Sequence, residues 1–330
     1  MIRNDAHIVG NVFDMETLGA AATRDGFGHG VVAAGERNPN VVVVCADLAE
    51  STRAQWFRDT FPERYIEVGV AEQNMVTMAA GMAVYGKVPF ITSYAAFSPG
   101  RNWEQIRTTV CLNDVPVKVM GMHAGISVGP DGATHQPLED IAIMRAIPRM
   151  TVLSPCDAVE AQKAVEAVAV SGKPAYIRFG REKTPLFTSA ETPFEIGKAY
   201  VAWEQEDPEV AIFATGPLLH NALRAAEQLA QEGVRTIIAN IHSIKPMDEA
   251  CVIDLARRTG AVVTVEEHQV SGGMGSAVAE VLAHNHPTIM KMVGVHDRFG
   301  QSGTPEELIE HYGMGIAGIA QAVHGVRAKK

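Results

Sequence analysis

The sequence has little that would tie it to a membrane, a metal or a nucleic acid. No apolar run approaches the roughly 20 residues that span a bilayer, so no membrane partner is expected. The opening Met1-Ile2-Arg3-Asn4-Asp5-Ala6-His7 has no apolar core segment, so no signal peptide is expected either. Cysteine is scarce: four residues, at 45, 111, 156 and 251, in no metal-ligand pair pattern. Cys45 and Cys111 sit in apolar surroundings and read as buried free thiols, which suits a reducing cytosol and a cytoplasmic location. Positive charge is outnumbered, with 28 Lys and Arg against 38 Asp and Glu and a formal net charge of −10. That balance argues against a nucleic-acid partner, although a local Arg cluster can still hold a small anion. There is no Gly-x-Gly-x-x-Gly after a strand with an acidic residue downstream, which sets aside a dinucleotide site. Gly26-Phe27-Gly28-His29-Gly30 is rich in glycine but falls inside a helical stretch. Internal repeats and low-complexity segments are absent. His268, His284 and His286 lack further ligands at convincing spacing, so no metal site is expected and they read as helix-end and loop residues.

What remains is ordinary globular material, and enough of it for two domains with their own cores: 330 residues, 47 % hydrophobic and 20 % charged. Val41 to Cys45 is a β-branched run of the kind buried on both faces of a parallel sheet. Tyr65 to Gly69, Val88 to Ser93, Val115 to Met120, Thr151 to Leu153 and Ala175 to Phe179 follow as strands with helical patterns between them. Met75, Met78, Ala79 and Met82 fall at helical spacing and predict one buried stripe. Asp157 and Glu160 have capping-box spacing. Thr184 to Gly197, with Pro185 and Pro193, breaks the pattern and reads as a linker. A second series then follows: strands at Val210 to Ala214, Thr236 to Ala239, Ala261 to Val265 and Ile289 to Val295, a helix with Leu219, Ala222, Leu223, Ala226 and Leu229 on one face, and a late helix opened by Thr304-Pro305-Glu306-Glu307. The expectation is an α/β protein of two domains, 1–190 and 191–330, each a mostly parallel sheet flanked by helices.

Two segments carry the chemistry. Val68-Gly69-Val70-Ala71-Glu72-Gln73-Asn74 puts one carboxylate, Glu72, between a strand and a helix, where ligands of α/β sheets bind. A Glu in a first helical turn also suits the helix dipole and needs no function. Gly121 to Pro137 holds His123, His135 and Asp131 in a loop with four glycines, Gly121 included. Such glycine density is shaped for close approach of backbone to something, and histidine is suited to proton transfer near neutral pH. A solvated surface loop is the plainer alternative.

Together these segments resemble the pyrimidine-binding domain of transketolases, from about Thr17 to Leu186, including Ala46-Asp47-Leu48, Val68 to Gly81, Phe90 to Phe97 and His123 to Pro137. Phe194 to His324 resembles the C-terminal domain of that family, through Val265-Glu266-Glu267-His268 and Gly272-Gly273-Met274-Gly275. The resemblance implies thiamine diphosphate as cofactor and transfer of a two-carbon ketol unit from a ketose phosphate to an aldose phosphate, as in pentose phosphate metabolism. It assigns Glu72 to the aminopyrimidine, Tyr94 and Phe97 to its aromatic slot and Asp47 to a place near the cofactor. His135 would assist proton transfer and Asp131 would accept from a donor hydroxyl. Arg24, Ser51, His123 and Arg181 would anchor the phosphate, a task suited to the planar guanidinium fork. Gly100-Arg101 stands where many members have a further aromatic.

The family binds Mg²⁺ through a Gly-Asp-Gly motif, and this sequence has none; Pro130-Asp131-Gly132 belongs to the histidine loop. The resemblance therefore implies a split enzyme: an N-terminal partner subunit carries the diphosphate domain and the metal ligands, homodimerisation of this chain is expected, and the assembly is a heterotetramer. The β subunit of a 2-oxoacid dehydrogenase, a deoxyxylulose-phosphate-synthase-like enzyme and a non-catalytic binding or regulatory module stay as alternatives.

Overall fold

Val41–Cys45 forms a strand in which all five residues are buried. Val41, Val43 and Cys45 enter one apolar cluster with Phe27, Val31 and Phe90, while Val44 enters the other, with Met75, Val76 and Ile91. Two-faced burial is what the continuous branched run requires. In the computed structural model, which describes residues 1–330, this strand belongs to a seven-stranded sheet. The spatial order is Ser243–Lys245, Thr151–Leu153, Ala175–Arg178, Lys118–Met122, Val88–Tyr94, Val41–Cys45 and Tyr65–Glu67. Only the first pair is antiparallel. A five-stranded sheet follows, in the order Ile289–Val295, Ala261–Gln269, Val210–Ala214, Thr236–Asn240 and Tyr200–Glu204, antiparallel at its last edge. Both sheets are flanked by helices, in keeping with the fold class expected from the sequence.

From Val41–Cys45 the chain passes to Tyr65–Glu67 on one side and then to Val88–Tyr94 on the other. That reversal opens a crevice at the carboxyl ends of the strands, where open α/β sheets take their ligands. The helix Thr23–Arg37 covers one face and packs against Ala158–Val170 through its glycines. A Cβ on Gly26 would lie 2.2 Å from the Ala158 carbonyl oxygen, and one on Gly30 would lie 2.8 Å from Val165 Cβ. The glycine-rich stretch is thus inside a helix, as its pattern suggests, and serves close helix packing.

Several local expectations are corrected. The buried face of the helix Glu72–Val84 is Glu72, Met75, Val76, Ala79, Ala80 and Ala83; Met78 and Met82 flank it half-buried. The stripe is rotated because the small alanines, not the outer methionines, meet the sheet. Asp157 caps its helix by accepting from Glu160 N at 2.9 Å, but Glu160 reaches Cys156 N and Asn240 Nδ2 (both 2.7 Å) instead of closing a capping box. The fourth strand begins at Lys118, since Pro116 has no amide to give a ladder. Lys183–Pro185, at the start of the supposed linker, pairs with Ala20–Ala22. His268 is neither at a helix end nor in a loop: it is fully buried in the strand Ala261–Gln269.

The two sheets share material. Ser243–Lys245 leaves the second series to pair with Thr151–Leu153 of the first sheet. Ala6 and Val12 pack into the core of the second sheet, and Ile2 bridges to Trp203. Ile126 and Leu138, at either end of the histidine loop, also belong to that second core. No helix is long and apolar enough to cross a membrane.

Candidate active site

Five successive strand ends deliver the site residues to one edge of the first sheet. Asp47 follows Val41–Cys45, Glu72 follows Tyr65–Glu67, Tyr94 ends Val88–Tyr94, His123 follows Lys118–Met122 and Arg181 follows Ala175–Arg178. Glu72 opens its helix and is only 2 % exposed. Its carboxylate accepts from Arg101 Nη1 at 2.8 Å, and its carbonyl accepts from the buried Asn102 Nδ2 at 3.1 Å. Arg101 is about half exposed, at 51 %, and its guanidinium lies 5.1 Å from the Phe97 ring centre.

From Phe97 a line of rings leads inward. The His135 ring meets Phe97 edge-on at 5.5 Å and Tyr94 at 6.3 Å. Tyr94 stacks on His123 at 4.0 Å. His123 Nε2 lies 2.9 Å from Arg24 Nη1, which also donates to the Ser51 carbonyl at 2.8 Å. Tyr94 and Phe97 are half-buried, and Tyr94 also packs against the core of the first sheet. The structure thus brings Glu72, Phe97, Tyr94, His135, His123, Arg24 and Ser51 into one continuous array. Asp131 and Arg181 join from the loop side, 3.9 Å apart, with Arg181 Nη1 donating to Val128 O at 2.9 Å. Ser51 contributes its carbonyl. Asp47 stands apart, exposed, with a left-handed backbone (φ 59°) and its amide bonded to Glu67.

Electrostatics set the state of His123. Burial, then the guanidiniums of Arg24 and Arg181, push the His123 imidazole down to about 3. The ring is neutral at neutral pH. Because a guanidinium only donates, Nε2 accepts and Nδ1 carries the proton. That Nδ1 is buried with no partner, as is Arg24 Nε. Burial, then Arg53 and Arg181, lower the Arg24 guanidinium from its usual value. Buried donors without acceptors beside three guanidiniums make a site short of an anion. Arg24, Arg53 and Arg181 also line a cavity of about 650 Å³ between the two domains.

Two contacts of the site are not legible in the sequence. Arg53 adopts a left-handed backbone (φ 67°) and pairs with Asp25 at 2.6 Å beside the array; an isolated Arg in an amphipathic stretch does not announce this. Arg101 stands out in the sequence only as a departure from an aromatic position, and its pairing with Glu72 depends on a contact 29 residues away. No group of three or more His, Cys, Asp and Glu side chains is placed to hold a metal ion.

Comparison with known proteins defines the class first: residues 19–185 match the transketolase pyrimidine-binding domain and residues 198–319 the transketolase C-terminal domain. A chain described as a transketolase C-terminal section, from Methanocaldococcus jannaschii, is 42 % identical over 304 residues, covering 91 % of this chain and 94 % of that one. A 6-deoxy-6-sulfo-D-fructose transketolase subunit from a Clostridium species is 39 % identical over 295 residues, covering 89 % and 91 %. A split-gene transketolase solved as an inactive β4 tetramer superposes with a TM-score of 0.86 at 40 % identity, over 94 % of this chain and 99 % of that one. The chain belongs to the transketolase family, a thiamine-diphosphate-dependent family, and corresponds to the C-terminal part of a split transketolase.

Proposed function

We propose that this chain is the β-type subunit of a two-component transketolase, moving a two-carbon ketol unit from a ketose phosphate to an aldose phosphate in a site completed by a partner subunit. The observation that carries this reading is the array from the buried Glu72 carboxylate, through Arg101 to Phe97, Tyr94 and His135, to the anion-deficient cluster of His123 and Arg24. A buried carboxylate and, across Arg101, a half-buried aromatic pair fit an aminopyrimidine ring, which needs one polar contact and apolar faces. Glu72, Tyr94 and Phe97 would hold thiamine diphosphate at that end. When bound, the cofactor supplies the electron sink for breaking the ketose carbon–carbon bond.

The other residues act on the sugar. Arg24 and Arg181 receive its anionic end, with the His123 Nδ1–H as a neutral donor. His135, on the glycine-rich loop, holds or moves a proton at the sugar oxygens, and Asp131 accepts from a hydroxyl. Magnesium and the diphosphate are assigned to the partner subunit, since this sequence has no Gly-Asp-Gly. Two such chains with two partners, each pair sharing a site, give the simplest closed assembly. The sulfo-sugar relative favours a second reading of the same anchor, a sulfonate in place of a phosphate, because guanidiniums and a neutral N–H recognise either oxyanion.

Calorimetry with thiamine diphosphate and Mg²⁺, on this chain alone and mixed with its partner, tests the proposal. Binding only in the mixture, lost or strongly weakened in Glu72→Gln, is expected, with turnover on a ketose phosphate or sulfo-ketose. Tight binding by the single chain would overturn the split site, and turnover on pyruvate in place of the ketose would move the chain to the 2-oxoacid or deoxyxylulose-phosphate chemistries.

A further inference from the structure

The glycines of the histidine loop face protein. A Cβ on Gly125 (φ 93°) would sit 2.4 Å from Glu267 Oε1, and one on Gly132 (φ 72°) 2.8 Å from Ser302 Oγ. Gly129 (φ 80°) lies against Gly303 and Pro305, and Gly121 against the Tyr176 ring. The first three contacts are all to the C-terminal domain. At Gly125 and Gly132 the approach leaves no room for a Cβ, and all three glycines take the positive φ that side chains disfavour.

Two side chains use that proximity. Gln136, next to His135 and 4 % exposed, donates from Nε2 toward Ile126 O (3.1 Å), Gly129 O (3.1 Å) and Gln301 O (3.0 Å). Three carbonyls around one nitrogen fix the amide's orientation. Its Oε1 is left buried without a partner, pressed against Gly300. Glu267, 5 % exposed and on the strand Ala261–Gln269, accepts from Ser127 N at 2.6 Å. It is held in turn by its own carbonyl, which accepts from Arg178 Nη2 at 2.7 Å; Arg178 pairs with Asp140 at 3.0 Å, and Asp140 accepts from Tyr176 at 2.6 Å. The apolar ends of the loop, Ile126 and Leu138, are part of the C-terminal domain's core.

We infer that the C-terminal domain is the mould of the substrate loop, with Gln136 and Glu267 as positioning residues for Asp131 and His135. The inference deepens the function proposed above and rests on it for its catalytic consequence. Gln136 gathers both halves of the loop around one nitrogen and ties them to the C-terminal domain at the Gln301 carbonyl, so the loop cannot leave that domain without breaking this hydrogen bond and the one from Ser127 N to Glu267. Glu267 pins the turn at Ser127. Leaving a buried amide oxygen without a partner is a cost that a surface loop would shed by turning outward.

Hydrogen exchange on the isolated chain tests this without any turnover. Gln136→Leu and Glu267→Ala are expected to speed exchange of amides in 123–137 by about tenfold or more, with Lys118–Met122 unchanged. Glu267→Gln, which keeps an acceptor for Ser127 N, is expected to stay near the parent, and it separates loop release from general misfolding. Unchanged loop exchange in both disruptive variants, or equal loss of protection across the whole first domain, would overturn the inference. In the mixture with the partner subunit, kcat is expected to fall more than KM changes, because His135 and Asp131 are displaced while Arg24 keeps its place on the Ser51 carbonyl. Faster loop exchange with an unaltered kcat would refute the positioning role. Absence of turnover in the unsubstituted mixture would count against the proposed function alone, since the exchange result judges the mould separately.

Discussion

Gly26→Ala is the substitution that the packing predicts most sharply. Alanine is the better helix former by about 1 kcal/mol, so an exposed site would gain stability. At Gly26 the added Cβ meets a backbone carbonyl at 2.2 Å and Ala161 Cβ at 2.7 Å, where ordinary contact begins near 3.4 Å. The helix Thr23–Arg37 must therefore retreat by about 1.2 Å, the difference between those carbonyl distances. Overpacking of this kind costs about 1–3 kcal/mol, and a carbonyl on a neighbouring helix cannot yield as a side chain does, so the net loss should be about 2 kcal/mol. The same retreat carries Arg24, one residue into the helix, away from Ser51 O and His123, which it meets at 2.8 and 2.9 Å. Gly81 is the control: it lies in the helix Glu72–Val84, a Cβ added there would meet nothing within 4 Å, and Gly81→Ala should gain up to about 1 kcal/mol. Urea unfolding of the single chain, followed by circular dichroism, measures both. In the assembled enzyme Gly26→Ala should raise KM for an anionic sugar with a smaller change in kcat. Equal or greater stability for Gly26→Ala, with KM untouched, would refute the helix contact and the placement of Arg24 together.

Two further outcomes are expected. Arg101→Met removes the one charged donor of a carboxylate that is 2 % exposed; with Arg101 itself half in solvent, the cost should be about 1–2 kcal/mol, and a double-mutant cycle with Glu72→Gln should show coupling of that size, additivity being the contrary result. Acid should destabilise the chain through its buried imidazoles. His123 and His268 are pushed down to about 3 and about 4, by burial first, then for His123 by Arg24 and Arg181, while Asp140 partly counters the shift at His268. Between those values and the unfolded value near 6.5 only the unfolded chain takes up the protons, so stability is full above pH 6.5 and falls as pH drops. The loss should be about 1–2 kcal/mol per histidine by pH 5, read as a drop in urea midpoint that His123→Asn makes shallower.

Much of the architecture is legible because its signals are local. Val41–Cys45 declares itself by branched residues without interruption, and Thr304-Pro305-Glu306-Glu307 by cap chemistry that the structure completes: Thr304 Oγ1 accepts from Glu307 N, and the Glu307 carboxylate accepts from Thr304 N. Tyr200–Glu204 and Ser243–Lys245 are not legible in this way. They are short antiparallel edges whose pairing is decided by tertiary contact, which no window of sequence contains. Among site residues, Glu72, His123 and Arg24 can be proposed from motif matches, whereas the Arg101 pairing and the Gln136 triad join residues from separate elements. The loop glycines show the limit most clearly: the sequence says that something approaches the backbone, and only the fold says that it is Glu267, Ser302 and Gly303.

The exchange of Ser243–Lys245 into the first sheet bears on how such a protein can be divided. A cut near residue 190 would leave the N-terminal piece without its outermost strand, and with Ala6 and Val12 detached from the core they fill. The C-terminal piece would keep a three-residue strand with no sheet to join. Each fragment would lose packing that the other supplies, so the covalent border between the domains is not the border of their cores.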